Sequence, residues 1–306
     1  MNGTGSRRRF FKHFVLLSAF SAGSFLSLKK NTGLRGGSFG PVKADAMENP
    51  DYAIGRFKNR ITIDYYGMSC FVIRSSNGTR IITDPFLAEG STPMDPPKKG
   101  KVLHAELRKE PADVVTVSCG HYAHCNVYAV GGTPYIYKTT EPAELHGIKF
   151  RGIATRHLTM NEIAVLNAAE NVVICFEVDG IRICHLGALG YTLTEDQAEE
   201  VGKVDILMVP VGGVSTLPVA DADAVCNRLK PRFILPMHYR SDRCTYEWAR
   251  VDEFLKDKKN VLRCDSNVGS SQLEFMLDEK TKQLKITSPS PELASGTQII
   301  VPRCVY

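Results

Sequence analysis

A layered α/β fold follows from short apolar runs rich in β-branched residues, Asx-Gly turns between some of them, and amphipathic helices between and after the strands. Taken in order, strands are expected at Ile61–Tyr66, Cys70–Arg74 and Arg80–Thr83, then at Val114–Ser118 and Ile148–Ala154. Further strands are expected at Val172–Val178, Ile181–Leu186, Ile206–Val209 and Phe233–Pro236. Asn77-Gly78 and Asp179-Gly180 are hairpin turns by residue type, since both members tolerate the positive φ of a tight connection. Thr194 opens a helix running through Val201 with Glu195 and Asp196 in its first turn, and Pro218 starts another over Ala220–Leu229. A third helix is expected from Tyr246 to Lys256. At 306 residues and 43% hydrophobic content the chain can bury one large core, giving a leader and linker over residues 1–46 and a single domain over 47–306.

The chemistry concentrates in Val117-Ser118-Cys119-Gly120-His121-Tyr122-Ala123-His124-Cys125-Asn126. The strand before it delivers Cys119, His121 and His124 onto one turn just past the strand end, where sites are commonly built. The stretch is similar to the His-x-His-x-Asp-His signature of the metallo-β-lactamase superfamily, with Cys119 in the first His position and Ala123 in the Asp position. Upstream, Ile63-Asp64-Tyr65-Tyr66-Gly67-Met68-Ser69-Cys70-Phe71-Val72-Ile73 and Ile81-Ile82-Thr83-Asp84-Pro85-Phe86 resemble the opening hairpin of the branch that includes ascorbate-6-phosphate lactonase. Downstream, His157 falls where the family places its next ligand, and Leu235-Pro236-Met237-His238-Tyr239 matches the segment carrying the last. The likeness runs from residue 61 to about residue 270. It departs in Ile183-Cys184-His185-Leu186-Gly187-Ala188-Leu189-Gly190-Tyr191, where Ala188 replaces the metal-bridging carboxylate and Tyr191 the following histidine.

The resemblance implies a four-layer αββα sandwich and a metal-dependent hydrolase. It also implies a first metal site of Cys119, His121 and His157, and a second that keeps only His124 and His238. Zinc accepts thiolate and imidazole in tetrahedral geometry, so a Cys-His-His set with one open position suits one zinc. Two histidines bring no charge to offset a second divalent ion, so the second site should bind weakly. If active, the site would activate water against an ester, lactone or phosphoester, with His238 or Tyr191 polarising the substrate. The alternative is a catalytically inactive binding protein using the old cleft for a small molecule or a periplasmic protein. A third reading makes Cys119 a nucleophile with His121 or His157 as base.

Each residue also has a plainer reading. Cys119 is equally a small buried hydrophobe, and His124 and His238 are relics. His185, inside an apolar strand, is expected as a hydrogen-bonded core residue, and His104 and His146 as surface residues. Asp84, before Pro85, is either a turn residue or an acceptor that orients a ligand histidine. Nine cysteines leave at least one thiol unpaired within a chain. Cys175 and Cys184 could face each other across the Asp179-Gly180 hairpin, but free buried thiols are the expectation.

Net charge separates the leader from the body. Residues 1–46 hold 8 of the 38 basic and 1 of the 33 acidic side chains, leaving 30 against 32. No basic stripe with interleaved aromatics remains, so nothing points to nucleic acid. Ser6-Arg7-Arg8-Arg9-Phe10-Phe11-Lys12 followed by apolar Phe14 to Leu28 resembles a twin-arginine export signal, implying a bacterial periplasmic destination. The apolar stretch is short for a membrane span. Ala44-Asp45-Ala46, beyond the Gly-rich stretch Gly33 to Gly40, is a candidate cleavage motif; an uncleaved leader would act as a tether. Replacing Arg7, Arg8 and Arg9 with Lys should abolish export while preserving charge, because recognition depends on guanidinium geometry. Cell fractionation checks this, and periplasmic accumulation of the variant would refute it.

Overall fold

The apolar runs pair into two sheets that share one interior. The computed structural model describes residues 59–86, 107, 109–157, 170–264, 272–288 and 295–305, all within one compact unit, Pro50–Tyr306. The twin-arginine-like segment, the apolar stretch after it, the cleavage motif and His104 lie outside the described residues.

In the first sheet, β1 (Arg60–Gly67), β2 (Cys70–Arg74) and β3 (Arg80–Thr83) run antiparallel, and β4 (Val114–Thr116) and β5 (Tyr135–Tyr137) continue parallel to β3. The second begins as an antiparallel meander of β6 (Ala143–Leu145), β7 (Ile148–Arg156), β8 (Glu170–Val178) and β9 (Ile181–His185). Then β10 (Ile206–Pro210) and β11 (Phe233–Met237) add in parallel. Near the C-terminus, β12 (Val261–Arg263) and β15 (Gln298–Val301) finish the second sheet, while β13 (Leu273–Leu277) and β14 (Leu284–Ser288) finish the first. The orders are β14-β13-β1-β2-β3-β4-β5 and β12-β15-β11-β10-β9-β8-β7-β6.

Parallel neighbours need crossovers, and helices supply them. Between β9 and β10 lies α1 (Glu195–Val201), opened by a capping box in which Thr194 and Gln197 bond reciprocally. Between β10 and β11 lies α2 (Val219–Leu229), entered through Pro218. After β11 comes α3 (Val251–Leu255), shorter than the helix expected from Tyr246. The residues before it bend and then bond elsewhere: Trp248 N–H donates to Tyr246 O at 2.7 Å, Ala249 N–H to Gly212 O at 2.8 Å and Arg240 N–H to Ala249 O at 2.9 Å. The expected strand through Ser118 also stops early, at Thr116, because the Ser118 N–H is taken by a carboxylate.

Between the sheets, Phe71, Ile73, Phe150, Phe176, Phe233 and Phe275 are buried in one cluster. Phe233 and Phe275 meet edge to face at 5.1 Å, and Phe150 stacks on Phe176 at 5.3 Å; each buried ring contributes about 1.5–3 kcal/mol by area alone. On the outer face of the second sheet, Val201, Ala222, Val225 and Phe254 of the three helices pack against Val173, Cys184 and Leu207. The outer face of the first is covered by Met68, Phe86, Val130 and Tyr246. Among the described residues its helical element is a 3-10 turn, Val127–Ala129. Phe275→Ala should cost about 3–5 kcal/mol, since a ring is lost from a site with no room to collapse. Urea unfolding checks it, and a loss below about 1 kcal/mol would show that the two sheets do not share this core.

Candidate metal centre

Asp84, directly after β3, has positive φ (37°) and is fully buried, a strained position that persists only where surroundings hold it. Its Oδ1 accepts from Ser118 N–H at 2.7 Å, and its Oδ2 accepts from Ser118 Oγ at 2.5 Å and lies 2.7 Å from His124 Nδ1. Burial acts to raise the Asp84 carboxyl, but His185, His124 and Ser118 together hold it below its ordinary value. An ionised carboxylate at Nδ1 fixes that nitrogen as the proton carrier. Nε2 of His124 is then left with a bare lone pair, and it is buried with no partner.

The strand ends around Asp84 are tied across the two sheets. Ser118 O accepts from Val172 N–H at 2.8 Å, and Met68 O accepts from His238 N–H at 2.7 Å. His185 accepts from Gly187 N–H at Nδ1 (3.2 Å), so its Nε2–H donates to Ser69 O at 2.9 Å. Burial lowers its pKa, and it is a neutral, hydrogen-bonded core histidine as its sequence context suggests. Two glycines permit this close approach. A Cβ on Gly187 (φ +61°) would lie 2.2 Å from Ser118 Cβ, and one on Gly212 would lie 2.1 Å from His238 O.

Four sequence-predicted residues come together here. The His124 ring stacks on His238 at 5.2 Å and 14°, and His121 lies 6.5 Å from His124 and 6.2 Å from His157. Burial lowers His157 to about 4 and, reinforced by His124, His157 and His121, puts His238 well below its ordinary value. His157 and His238 are therefore neutral near pH 7. His238 also has positive φ (53°) and a buried, unpartnered Nδ1. Cys119 is buried, and desolvation with the Asp84 charge pushes its thiol up to about 12, so it is not an activated nucleophile by itself. Tyr191 is 49% exposed on the loop following Ala188. His146 is exposed, as expected.

Among the described residues, the buried ring nitrogens without a hydrogen-bond partner are Nε2 of His124 and Nδ1 of His238, the two histidines that the resemblance leaves to the second site. Their chemistry fits a divalent metal taken by imidazole. Ala123 and Ala188, which the motif resemblance sets at the carboxylate positions, are both buried. Among the described residues no three His, Cys, Asp or Glu side chains gather into a group that could hold a metal. Two further residues escaped the sequence reading. Asn171 accepts from Ala188 N–H at 2.8 Å and donates to Thr155 Oγ1 and Leu186 O. Trp248 stacks on His238 at 4.1 Å, and its signal was its rarity, as the chain's single tryptophan.

A family model described as a beta-lactamase superfamily domain matches residues 62–238, the span that holds the Asp84 knot and all four clustered histidines. The chain belongs to the metallo-β-lactamase superfamily. Several of its relatives are metal-dependent hydrolases by name. A UPF0173 protein of Pyrococcus furiosus is 29% identical over 215 residues, 64% of this chain and 89% of that one. A UPF0173 metal-dependent hydrolase of Thermoplasma acidophilum is 26% identical over 212 residues, 63% of this chain and 87% of that one. A solved structure from Thermotoga maritima, described as a candidate zinc-dependent hydrolase of the metallo-β-lactamase superfamily, aligns with TM-score 0.55 and 29% identity. It covers 79% of this chain and 97% of its own. Membership implies a metal cofactor, and the α/β double-sheet fold is that of the superfamily.

The Asp84 knot gives the superfamily site a direct stability test. Asp84→Asn retains the shape but removes the charge that holds His124 and Ser118, and should destabilise the fold by about 1.5–3 kcal/mol, the worth of a hydrogen bond to a charged group. Chemical denaturation checks it. A cost under about 1 kcal/mol would mean that the carboxylate does not organise the strand ends.

Proposed function

We propose that this chain is a metallo-β-lactamase-fold hydrolase of the ester, lactone or phosphoester class, similar to the lactonase-like branch, with impaired or altered activity. It binds at most one zinc and works in the periplasm after twin-arginine export. The observation that carries the reading is the His124 imidazole, whose Nδ1 is held by Asp84 and whose buried Nε2 has no partner, beside His238. That is how a protein presents a nitrogen to a metal.

His124 and His238 would hold the ion, with His121, His157 and Cys119 as the further donors suggested by the motif. A bound divalent metal supplies Lewis acidity and activates water. The chain's own groups do the rest. Asp84 fixes the His124 tautomer, Trp248 walls the cleft by stacking on His238, and Tyr191 offers a half-exposed hydroxyl to orient or polarise a substrate oxygen. Loss of both carboxylates removes the anionic charge that two-metal chemistry needs, which supports weak or altered turnover.

A second reading, a catalytically inactive protein that binds a small molecule in the same cleft, is favoured by one observation: among the described residues no three donors form a metal-holding group. Elemental analysis separates the two. Protein purified without added metal should carry about one zinc per chain, two tightly held metals would refute the proposal, and none would favour the binding protein. Installing Cys119→His, Ala123→Asp and Ala188→Asp together should add a second metal and raise hydrolysis of generic lactones or phosphodiesters, because both ligand shells are then complete. A folded triple variant that binds no more metal than the parent would show that these positions do not correspond to the family's metal shell.

A further inference from the structure

Cys175 and Cys184 pair directly in the β8–β9 ladder. The turn joining these strands is the two-residue Asp179-Gly180, with φ values of 52° and 77°, and such a turn closes on a hydrogen-bonded pair, here Val178 and Ile181. Pairs alternate along an antiparallel ladder, so three steps back Cys175 and Cys184 occupy a non-hydrogen-bonded pair, with Cα atoms about 4.5 Å apart. That lies at the lower edge of the range a disulfide spans, about 4.4–6.8 Å. A bond there forms without backbone rearrangement but under strain, the condition that makes a disulfide readily reducible. Both sulfurs are free thiols in the structure.

The two are unequally placed. Cys184 is fully buried, whereas Cys175 is half-buried, and both line a cavity of about 480 Å³ whose walls include Lys149, Arg151, Arg182 and Lys203. Glu177 also lines it, and Arg182 is engaged by Asp205 at 2.7 Å, so Lys149, Arg151 and Lys203 set its positive character. Arg151 lies directly opposite Cys175 in the β7–β8 register and is anchored by donating to Val201 O at 3.0 Å. A hydrogen bond from Cys184, with Arg151 beside it, holds the Cys175 thiol below its ordinary value; the same bond and full burial push Cys184 up. Low thiol pKa, partial exposure and a neighbouring second thiol are the marks of an attacking and a resolving cysteine.

We infer that Cys175 and Cys184 form a reversible dithiol–disulfide couple, oxidised by an anionic low-molecular-weight disulfide that docks in the cationic cavity beside them. Cys175 thiolate attacks one sulfur of the incoming disulfide, breaking its S–S bond, forming a mixed disulfide and releasing one thiolate, which takes up the proton given up by Cys175. Cys184, having lost its proton to solvent, attacks the Cys175 sulfur and expels the second thiolate. The protein thiols lose two electrons and two protons, and the small disulfide gains both. No metal takes part.

Incubating the full chain with glutathione disulfide, followed by alkylation and non-reducing peptide mapping, tests this without any substitution. The linked Cys175–Cys184 peptide should appear before comparable modification of the half-buried Cys125 and Cys304, and dithiothreitol should reverse it. Glutathione disulfide should react about tenfold faster than the cationic disulfide cystamine at low ionic strength, with the gap closing in high salt. In Cys184→Ser the reaction should stop at a glutathione adduct on Cys175. The couple is refuted if both thiols remain alkylatable after Cys125 and Cys304 have reacted. Equal rates for the two small disulfides would overturn the anionic docking site.

Discussion

A single buried carboxylate organises the functional end of this fold. Asp84 is inaccessible to solvent, and an uncompensated charge there would cost several kcal/mol. Its compensation comes from Ser118, which gives both N–H and hydroxyl, and from the Nδ1 of His124. Because the Ser118 N–H is spent on Asp84, β4 ends at Thr116, and the chain turns into the segment carrying Cys119, His121 and His124. Because Ser118 O accepts from Val172 N–H, the same residue ties the first sheet to the second. The position of His124 and the closure of the sandwich at this end are thus consequences of one ion's need for partners.

That constraint acts together with contacts that gather the four histidines. Ala123 and Ala188 are buried close by in sequence, and the histidines are gathered by backbone bonds and ring stacking. His238 is fixed by its N–H bond to Met68 O and by stacking between His124 and Trp248. Neutral His157 and His238 add no charge to the cluster, which therefore holds together without the anions that a pair of divalent ions would demand.

Much of this was legible in the chain itself. The nine expected strands all form, several with their expected ends, because each is a β-branched run bounded by turn residues, and the Thr194 capping box marks α1 to the residue. Missed were β5, β6 and β12, at three residues each too short to show a period. Also missed were β13 and β15, which pair with strands distant in sequence, and β14, the edge strand that completes a hairpin with β13. At the site, motif spacing located His121, His124, His157 and His238, which the fold brings together, but it carries no information on their hydrogen-bond partners. Which imidazole nitrogen is left bare depends on a partner 40 residues away, and spacing within a motif carries no such information. Asn171 on β8 and Trp248 in the segment before α3 act through contacts with other parts of the chain and are equally invisible to local pattern.

Long-range ¹H–¹⁵N correlation of the His124 imidazole in metal-free protein tests the central claim most directly, since the nitrogen shifts report which ring atom carries the proton. The Nδ1–H tautomer is predicted, with the unprotonated Nε2 shifting when zinc is added. A proton on Nε2, or an Nε2 shift indifferent to zinc, would contradict the assignment of His124 as the ligand that Asp84 holds in place.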